Sequence, residues 1–384
     1  MHTPLRVLVG SLGRGVLPDA AVEPPAGTVL LDLGPDHPST AGLLELALWT
    51  EEGVVSAASI TVGAMHRGAE KLFEVRDYRQ IGMLADRHDW QAPFSGELGV
   101  ALVGEQLLGL EVPVRARWLR TLLAEHTRIL SHLGFLSHLA TGPARLAEVR
   151  TARERLRDQT LRLTGNRIHP MVARIGGLAT DADDGWLRQE HEEMGAVAAL
   201  GRRLAATVDE TAGLAGVAVL GREVAAGYGV SGTAARASGL ALDLRSSTPG
   251  LAYGELVGLI APAPTEAGDA AARFATFAHE VVESSSLVRA CVERLTGLPG
   301  PVAVPLGKVV RLPEGEGYLA LEAPLGLAGF YVVSRGEKTP WRFKLRTPSF
   351  SNVAALESVL VGVPVASLEV ALASIGYVVG DIDR

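Results

Sequence analysis

The chain has 384 residues, 47% of them hydrophobic and 21% charged, with a formal net charge of −7. That length and composition allow a large buried core, arranged as two subdomains on one scaffold, and the scattered acidic residues argue against a nucleic-acid surface or a polybasic membrane anchor. Cys291 is the single cysteine, which excludes an intrachain disulfide and any thiolate-bound cluster or Cys-rich zinc site built by this chain alone, and fits a reducing cytoplasm.

The opening stretch MHTPLRVLVGSLGRGVLPDA holds an apolar run too short and too broken by glycine for a signal peptide. GSLGRG at 10–15 follows strand-like RVLV but leads into Val16, Leu17 and Pro18, so it reads as a turn and not as a dinucleotide fingerprint, which needs strand, turn and helix in succession. Residues 28–62 read as a small sheet, TVLLDLGP and then LLELALWTEEGVVSAASITVG, with Glu51, Glu52 and Gly53 as a turn. Between these runs, LGPDHPSTAG at 33–42 sets His37 among two prolines and two glycines, followed by Ser39, Thr40 and Ala41.

From about 66 the pattern turns helical. In MHRGAEKLF, His66 and Arg67 lie where strand gives way to helix, either as buried donors that tune a redox centre or as a helix start with Glu70 near its positive end. DRHDW at 86–90 alternates acid and base and reads as a solvated, salt-bridged face. After Pro113, Leu119, Leu122, Leu123, His126, Leu130 and Leu133 recur at three- and four-residue steps, which places an apolar stripe on one helix face. His126, His132 and His138 are spaced by six and spread around that helix, so they are structural histidines and not joint metal ligands. A charged helix follows at about 146–163, stopped by TGN at 164–166, and TGNRIHPMVARIGG sets Arg167, His169 and Arg174 in a loop. Two long helical patterns cover about 184–213 and 267–296, while 298–350 reads as strands and turns. The apolar tail, Asn352–Gly380, is interrupted by Glu357, Pro364 and Glu369 and reads as buried core, not as a membrane span. The sum is α+β and mainly helical: a divergent segment 1–27, a β region 28–65, a helical bundle 66–297 and an α+β region 298–384.

The order of motifs carries more information than any single one. GPDHPST, HRGAEK, LGLEVPVRARWLRTLLAEHTRILSHL, TGNRIH with RIGG, RASG with DLR, RFKLRTPSF and the ending GDIDR together resemble the D-subunit family of NADH:quinone oxidoreductase, respiratory complex I, over about 28–384. The resemblance implies a bundle of the nickel-iron hydrogenase large-subunit kind, with β-sheet and hairpin at the N-terminal end and further β elements at the C-terminal end. A chain with Cys291 alone lacks the cysteines of that metal centre. It further implies a peripheral subunit on the cytoplasmic side of the cell membrane, with no cofactor of its own. Quinone would be its substrate, the iron–sulfur cluster would come from a partner, and further subunits would form the membrane channel.

By the same resemblance, 34–42 is a hairpin tip entering the quinone cavity, with His37, Ser39, Thr40, Ala41 and Trp90 as quinone-site-like positions. His66, Arg67, Arg87 and His169 would face the cluster, where positive charge or hydrogen-bond donors stabilise its reduced state. The quinone side departs from the family pattern. The second histidine of H-P-x-x-H-G corresponds to Ala41, the tyrosine to Trp90, and R-G-E to Leu325, Gly326 and Leu327, while Glu148 is the only carboxylate in the shortened stretch 139–150. Alanine donates nothing, and an indole N–H donates a hydrogen bond without releasing a proton. These departures imply a divergent paralogue, acting either as an electron-transfer subunit with an altered quinone pocket or as a scaffold that docks redox or membrane subunits without reducing quinone.

Overall fold

The computed structural model describes residues 4–10, 27–140 and 142–384; most of the 10–15 glycine turn therefore lies outside the described residues. The protein is α+β. Strands β1 (Leu5–Val9), β2 (Thr28–Leu31), β3 (Leu44–Glu51) and β4 (Val54–Thr61) make one sheet in the order β2-β1-β3-β4, with β1 and β2 parallel and the other pairs antiparallel. In β3 the alternation is direct: Leu44, Leu46 and Leu48 are buried, and the residues between them are not. Leu5–Val9 is thus an inner strand, although it falls within the N-terminal segment that the sequence sets apart.

Helices α1 (Ala69–Phe73), α2 (Tyr78–Ala85), α3 (Pro93–Leu108), α4 (Val114–Leu136) and α5 (Pro143–Thr164) follow. Gly165 ends α5 in the left-handed conformation (φ 79°), its N–H bonded to Leu161 O at 2.8 Å, so TGN supplies the stop read from the sequence. The short pair β5 (Ala173–Arg174) and β6 (Gly177–Leu178) leads to α6 (Asp184–Glu210), α7 (Arg222–Tyr228), α8 (Gly232–Ala237) and α9 (Ala270–Leu295). A three-stranded antiparallel sheet, β7 (Gly315–Ala323), β8 (Gly326–Ser334) and β9 (Arg342–Arg346), precedes the short helices α10 (Pro348–Ala354), α11 (Leu356–Val359), α12 (Leu368–Ile375) and α13 (Val379–Ile382).

Two apolar cores result. One lies within the bundle and under the C-terminal sheet; the other joins the N-terminal sheet to α7, α8 and the tail, and Trp90 packs against both. The tail is buried, as its interrupted apolar pattern indicates, and no helix among the described residues is long and apolar enough to cross a membrane.

The predicted stripe of α4 is buried, apart from a half-buried Leu130, but its other faces are buried too. There the charges pair with one another. Arg128 and Arg245 flank Glu125; Arg236 meets Glu280 at 2.8 Å and Glu322 at 2.6 Å; and His132 donates to Glu280 at 2.8 Å. Arg236 belongs to RASG and Arg245 to DLR, so these two motifs serve the interior of the bundle. His126 is likewise structural, donating to Glu190 at 2.7 Å within the bundle.

Candidate functional site

The 33–42 loop is not a hairpin tip. It joins β2 to β3, which are separated by β1, and the hairpin of this sheet is β3–β4. His37, Pro38, Ser39 and Thr40 are buried; Pro38–Thr40 form one turn of 3-10 helix. His37 Nε2 donates to Ala373 O at 3.0 Å, and its Nδ1 accepts from Ser39 N at 3.2 Å, which fixes the neutral tautomer. Burial drives the imidazole down to about 3, with the neighbouring His138 adding to the effect, so His37 is not an acid at neutral pH. Ser39 Oγ donates to Tyr377 O at 2.6 Å, and Thr40 Oγ1 to Gly34 O at 2.7 Å. Arg150 clamps Asp36 with two bonds of 2.9 and 2.5 Å. Ala41 is exposed, and Gly42 (φ 98°) seats so closely that a Cβ would stand 2.6 Å from Val379 and 2.8 Å from the Met65 sulfur. The loop is therefore a buried plug docked on α12 and on the end of α4.

Trp90 lies beside it. Gly380 has no room for a side chain because the Trp90 ring and His88 O, 2.6 Å away, occupy the place of its Cβ. At Gly134, Pro38 of the loop comes together with the Gln91–Arg153 hydrogen bond of 2.8 Å. The Trp90 indole N–H has no partner among the described residues. A crevice of about 30 Å³ between Trp90, Gln91, Thr127, Leu130 and Arg153 opens at this point.

Of the four positions expected to face the cluster, the structure joins two. Arg87 donates to Asp86 Oδ1 at 2.8 Å and lies 3.5 Å from the Met171 sulfur; His169 Nδ1 donates to Asp86 O at 3.2 Å. His66 and Arg67 lie elsewhere and are exposed, which corrects the alternative of buried donors at that junction. His66 Nδ1 donates to Asp383 O at 3.1 Å, beside an open cavity of about 620 Å³ that Glu70, Arg342 and Arg384 also line. Arg67 makes no hydrogen bond or ion pair among the described residues.

DRHDW is not a solvated face either: Asp86, His88 and Asp89 are buried. The partner of His88 comes from the opposite end of the chain, which is why spacing alone misses it. His88 Nδ1 donates to Asp381 Oδ1 at 3.2 Å, and the Asp381 carboxylate also accepts from Ser349 N at 3.2 Å. Burial raises the Asp86 carboxyl against the pull of His169 and Arg87, and burial pushes Glu97 up to about 8. Burial and then the Asp381 charge push Asp89 up to about 7, against His88 and the N–H groups of Gln91 and Ala92. The one sequence signal for this group is the pairing of two charge-rich motifs, DRHDW and GDIDR. Among the described residues no cluster of three or more His, Cys, Asp or Glu side chains is arranged to hold a metal ion, and Cys291 is buried.

The profile of the family described as "Respiratory-chain NADH dehydrogenase, 49 Kd subunit" matches residues 145–310 and 306–384. The first of the NADH-quinone oxidoreductase D-subunits of Streptomyces coelicolor is 46% identical over 367 residues, covering 93% of this chain and 95% of that protein. The NADH-quinone oxidoreductase D-subunit of Carboxydothermus hydrogenoformans is 34% identical over 376 residues, covering 92% and 98%. Among solved structures, a chain of the membrane-bound sulfane sulfur reductase, an archaeal respiratory membrane complex, superposes with a TM-score of 0.82 at 31% identity, covering 89% of this chain and 94% of that one.

Proposed function

The chain belongs to the family of the 49 kDa subunit of respiratory-chain NADH dehydrogenase, and on that footing we propose that it is the peripheral-arm subunit of a membrane-associated NADH:quinone oxidoreductase. In this reading it forms one wall of the quinone site, beside the terminal iron–sulfur cluster of a partner subunit. Further partners form the membrane channel, and the assembly places this chain on the cytoplasmic side of the cell membrane.

The observation that carries the reading is the convergence of three segments. The 37–42 loop, Trp90 with its neighbours, and the 376–384 segment meet within one contact layer, and Arg87 and His169 are both hydrogen-bonded to Asp86. In this arrangement Trp90 supplies an aromatic face and an indole donor to the ring. Burial holds His37 neutral, and its two ring nitrogens brace the loop. Exposed Ala41 leaves the approach open where the family pattern has a histidine. Arg87 and His169 supply hydrogen-bond donors toward the cluster, which favour its reduced state. Ser39 and Thr40 are spent on the loop's own hydrogen bonds and hold its shape.

The test is NADH:quinone turnover by the complex purified with this chain. Turnover with at least one quinone is expected; a complex with full cluster content that reduces no quinone overturns the reading. One observation favours a second reading, a docking module without quinone chemistry: neither Ala41 nor Trp90 can supply a proton. Under it, Ala41→His with Trp90→Tyr leaves physiological function unchanged, and a gain of native activity counts against it.

A further inference from the structure

Reduction of a quinone needs two electrons and two protons, and the ring-side groups Ala41, Trp90 and neutral His37 hold no proton to give at neutral pH. Behind Trp90 the structure holds groups that do. A cavity of about 10 Å³ is lined by His88, Asp89, Arg346, Thr347, Pro348 and Asp381, among others, a volume at the lower limit for one water. Asp89 is 5% exposed; its Oδ1 accepts from Gln91 N at 3.0 Å and Ala92 N at 3.1 Å, which spends that oxygen on the turn carrying Trp90. His88 is 8% exposed, and while its Nδ1 is committed to Asp381, its Nε2 is buried with no hydrogen-bond partner among the described residues.

We propose that Asp89, His88 and Asp381 form an internal proton relay that serves the quinone from behind Trp90, in place of the ring-side donors this chain lacks. The inference rests on the quinone reading above. Each delivery breaks the Asp89 O–H bond and forms one quinol O–H bond, by way of water in the cavity. Asp89 then regains a proton from solvent by way of the cavity that His88 and Asp381 also line before the second delivery, and the two electrons come one at a time from the partner's iron–sulfur cluster. The charged and titratable groups around Asp89 are His88 and Asp86 on its own segment, Asp381 from α13, and Arg346 from the end of β9. Arg346 is engaged with Leu327 O at 2.6 Å and Gly229 O at 2.7 Å and faces the cavity from the other side. Burial and the Asp381 charge together leave Asp89 about half protonated near pH 7, the condition for a general acid at working pH.

The experiment uses the assembled complex and follows quinone turnover with NADH from about pH 5 to about pH 9, with cluster content measured in each preparation. In the unmodified complex the rate falls as pH rises through about 7, where Asp89 loses its proton. Asp89→Asn keeps the acceptor oxygen for Gln91 and Ala92 but carries no proton, so turnover drops roughly 100-fold and the limb near neutrality disappears. Asp381→Asn removes the charge that helps keep the proton on Asp89, so the limb moves to lower pH; a purely structural role for either residue would lower the rate without moving the limb. Asp89→Asn at full rate with the native profile, or Asp381→Asn with an unmoved limb, overturns the relay. Should Asp89→Asn fail to assemble, the limb in Asp381→Asn decides. Failure of the underlying reading looks different, because the unmodified complex then reduces no quinone at any pH.

Discussion

Arg236→Met is the sharpest test of how the bundle is held. Arg236 is buried and donates to Glu280 Oε1 at 3.0 and 2.8 Å, to Glu322 Oε1 at 2.6 Å and to Leu242 O at 3.0 Å. Burial alone would raise the Glu280 carboxyl, but Arg236, His132 and Arg128 hold it well below the usual carboxylate range. Methionine fills much of the same volume and removes the charge, leaving Glu322 with the Leu244 N–H at 3.1 Å, and Glu280 with His132 and with Arg128 at 3.7 Å. Breaking one partner out of a buried ion pair costs about 3–5 kcal/mol, because the charges left behind are uncompensated. The sign with pH follows. In the native protein the depressed Glu280 value contributes stability above its ordinary pKa, and this is lost as pH falls through the depressed value. In Arg236→Met the Glu280 carboxyl loses the largest charge that holds it down, so its value rises, and the deficit is largest near neutrality and shrinks as pH falls. Urea unfolding followed by tryptophan fluorescence reads the difference, and Arg236→Met with Glu280→Gln should recover part of it by removing one stranded charge. A loss below about 1 kcal/mol, or no recovery in the double variant, would refute the view that these charges stabilise the bundle only as a set.

Two further outcomes follow from the geometry. Gly380→Ala drives a Cβ into the Trp90 ring and to 2.6 Å from His88 O, a backbone atom that cannot swing away. The cost is about 1–3 kcal/mol of overpacking, with Trp90 displaced and quinone turnover lost at unchanged cluster content; Gly82→Ala, which meets nothing within 4 Å, is the control and leaves turnover intact. His37 predicts an acid limb of stability. Its folded value near 3 lies below the unfolded 6.5, so its contribution is complete above 6.5 and is lost as pH falls from 6.5 toward 3. The slope from this group is about 1.4 kcal/mol per pH unit. His37→Gln, measured by denaturant midpoint against pH, should flatten that limb; an unchanged slope would show that His37 is not buried as the structure has it.

Much of the fold was legible because its signals are periodic. The leucine steps of α4, the TGN stop and the alternation in β3 each follow from one local rule, and the structure obeys it. The loop around His37 was legible as a loop, since two prolines and two glycines admit little else. Its topology was not, because nothing in residues 28–62 indicates that Leu5–Val9 inserts between β2 and β3. The buried charges failed for a related reason. Alternating acid and base in DRHDW looks like a solvated face when each residue is judged by its near neighbours, yet His88 finds its partner 293 residues away. Likewise Arg128 and Glu125 on α4 look like a surface pair until Arg245 and Glu280, from other parts of the chain, close around them.

The end of the chain explains why the two halves of the candidate site hold their relative positions. Trp90 touches both cores, and what fixes it is a run of five residues, Gly380 to Arg384. Gly380 admits the indole. Asp381 holds His88 with its carboxylate, and its carbonyl accepts from Thr347 Oγ1 at 2.6 Å. The Asp383 carboxylate accepts from Gly63 N at 2.7 Å and Met65 N at 2.8 Å, tying the end of β4 to the same segment. Arg384 lies over Phe350 and within 3.5 Å of Glu70. Every one of these contacts joins the 380–384 segment to a residue more than thirty positions away. The candidate site is tied to α12 through His37 and Ala373, and His88, Asp89 and Asp381 line a common cavity next to Trp90, the residue that packs against both cores.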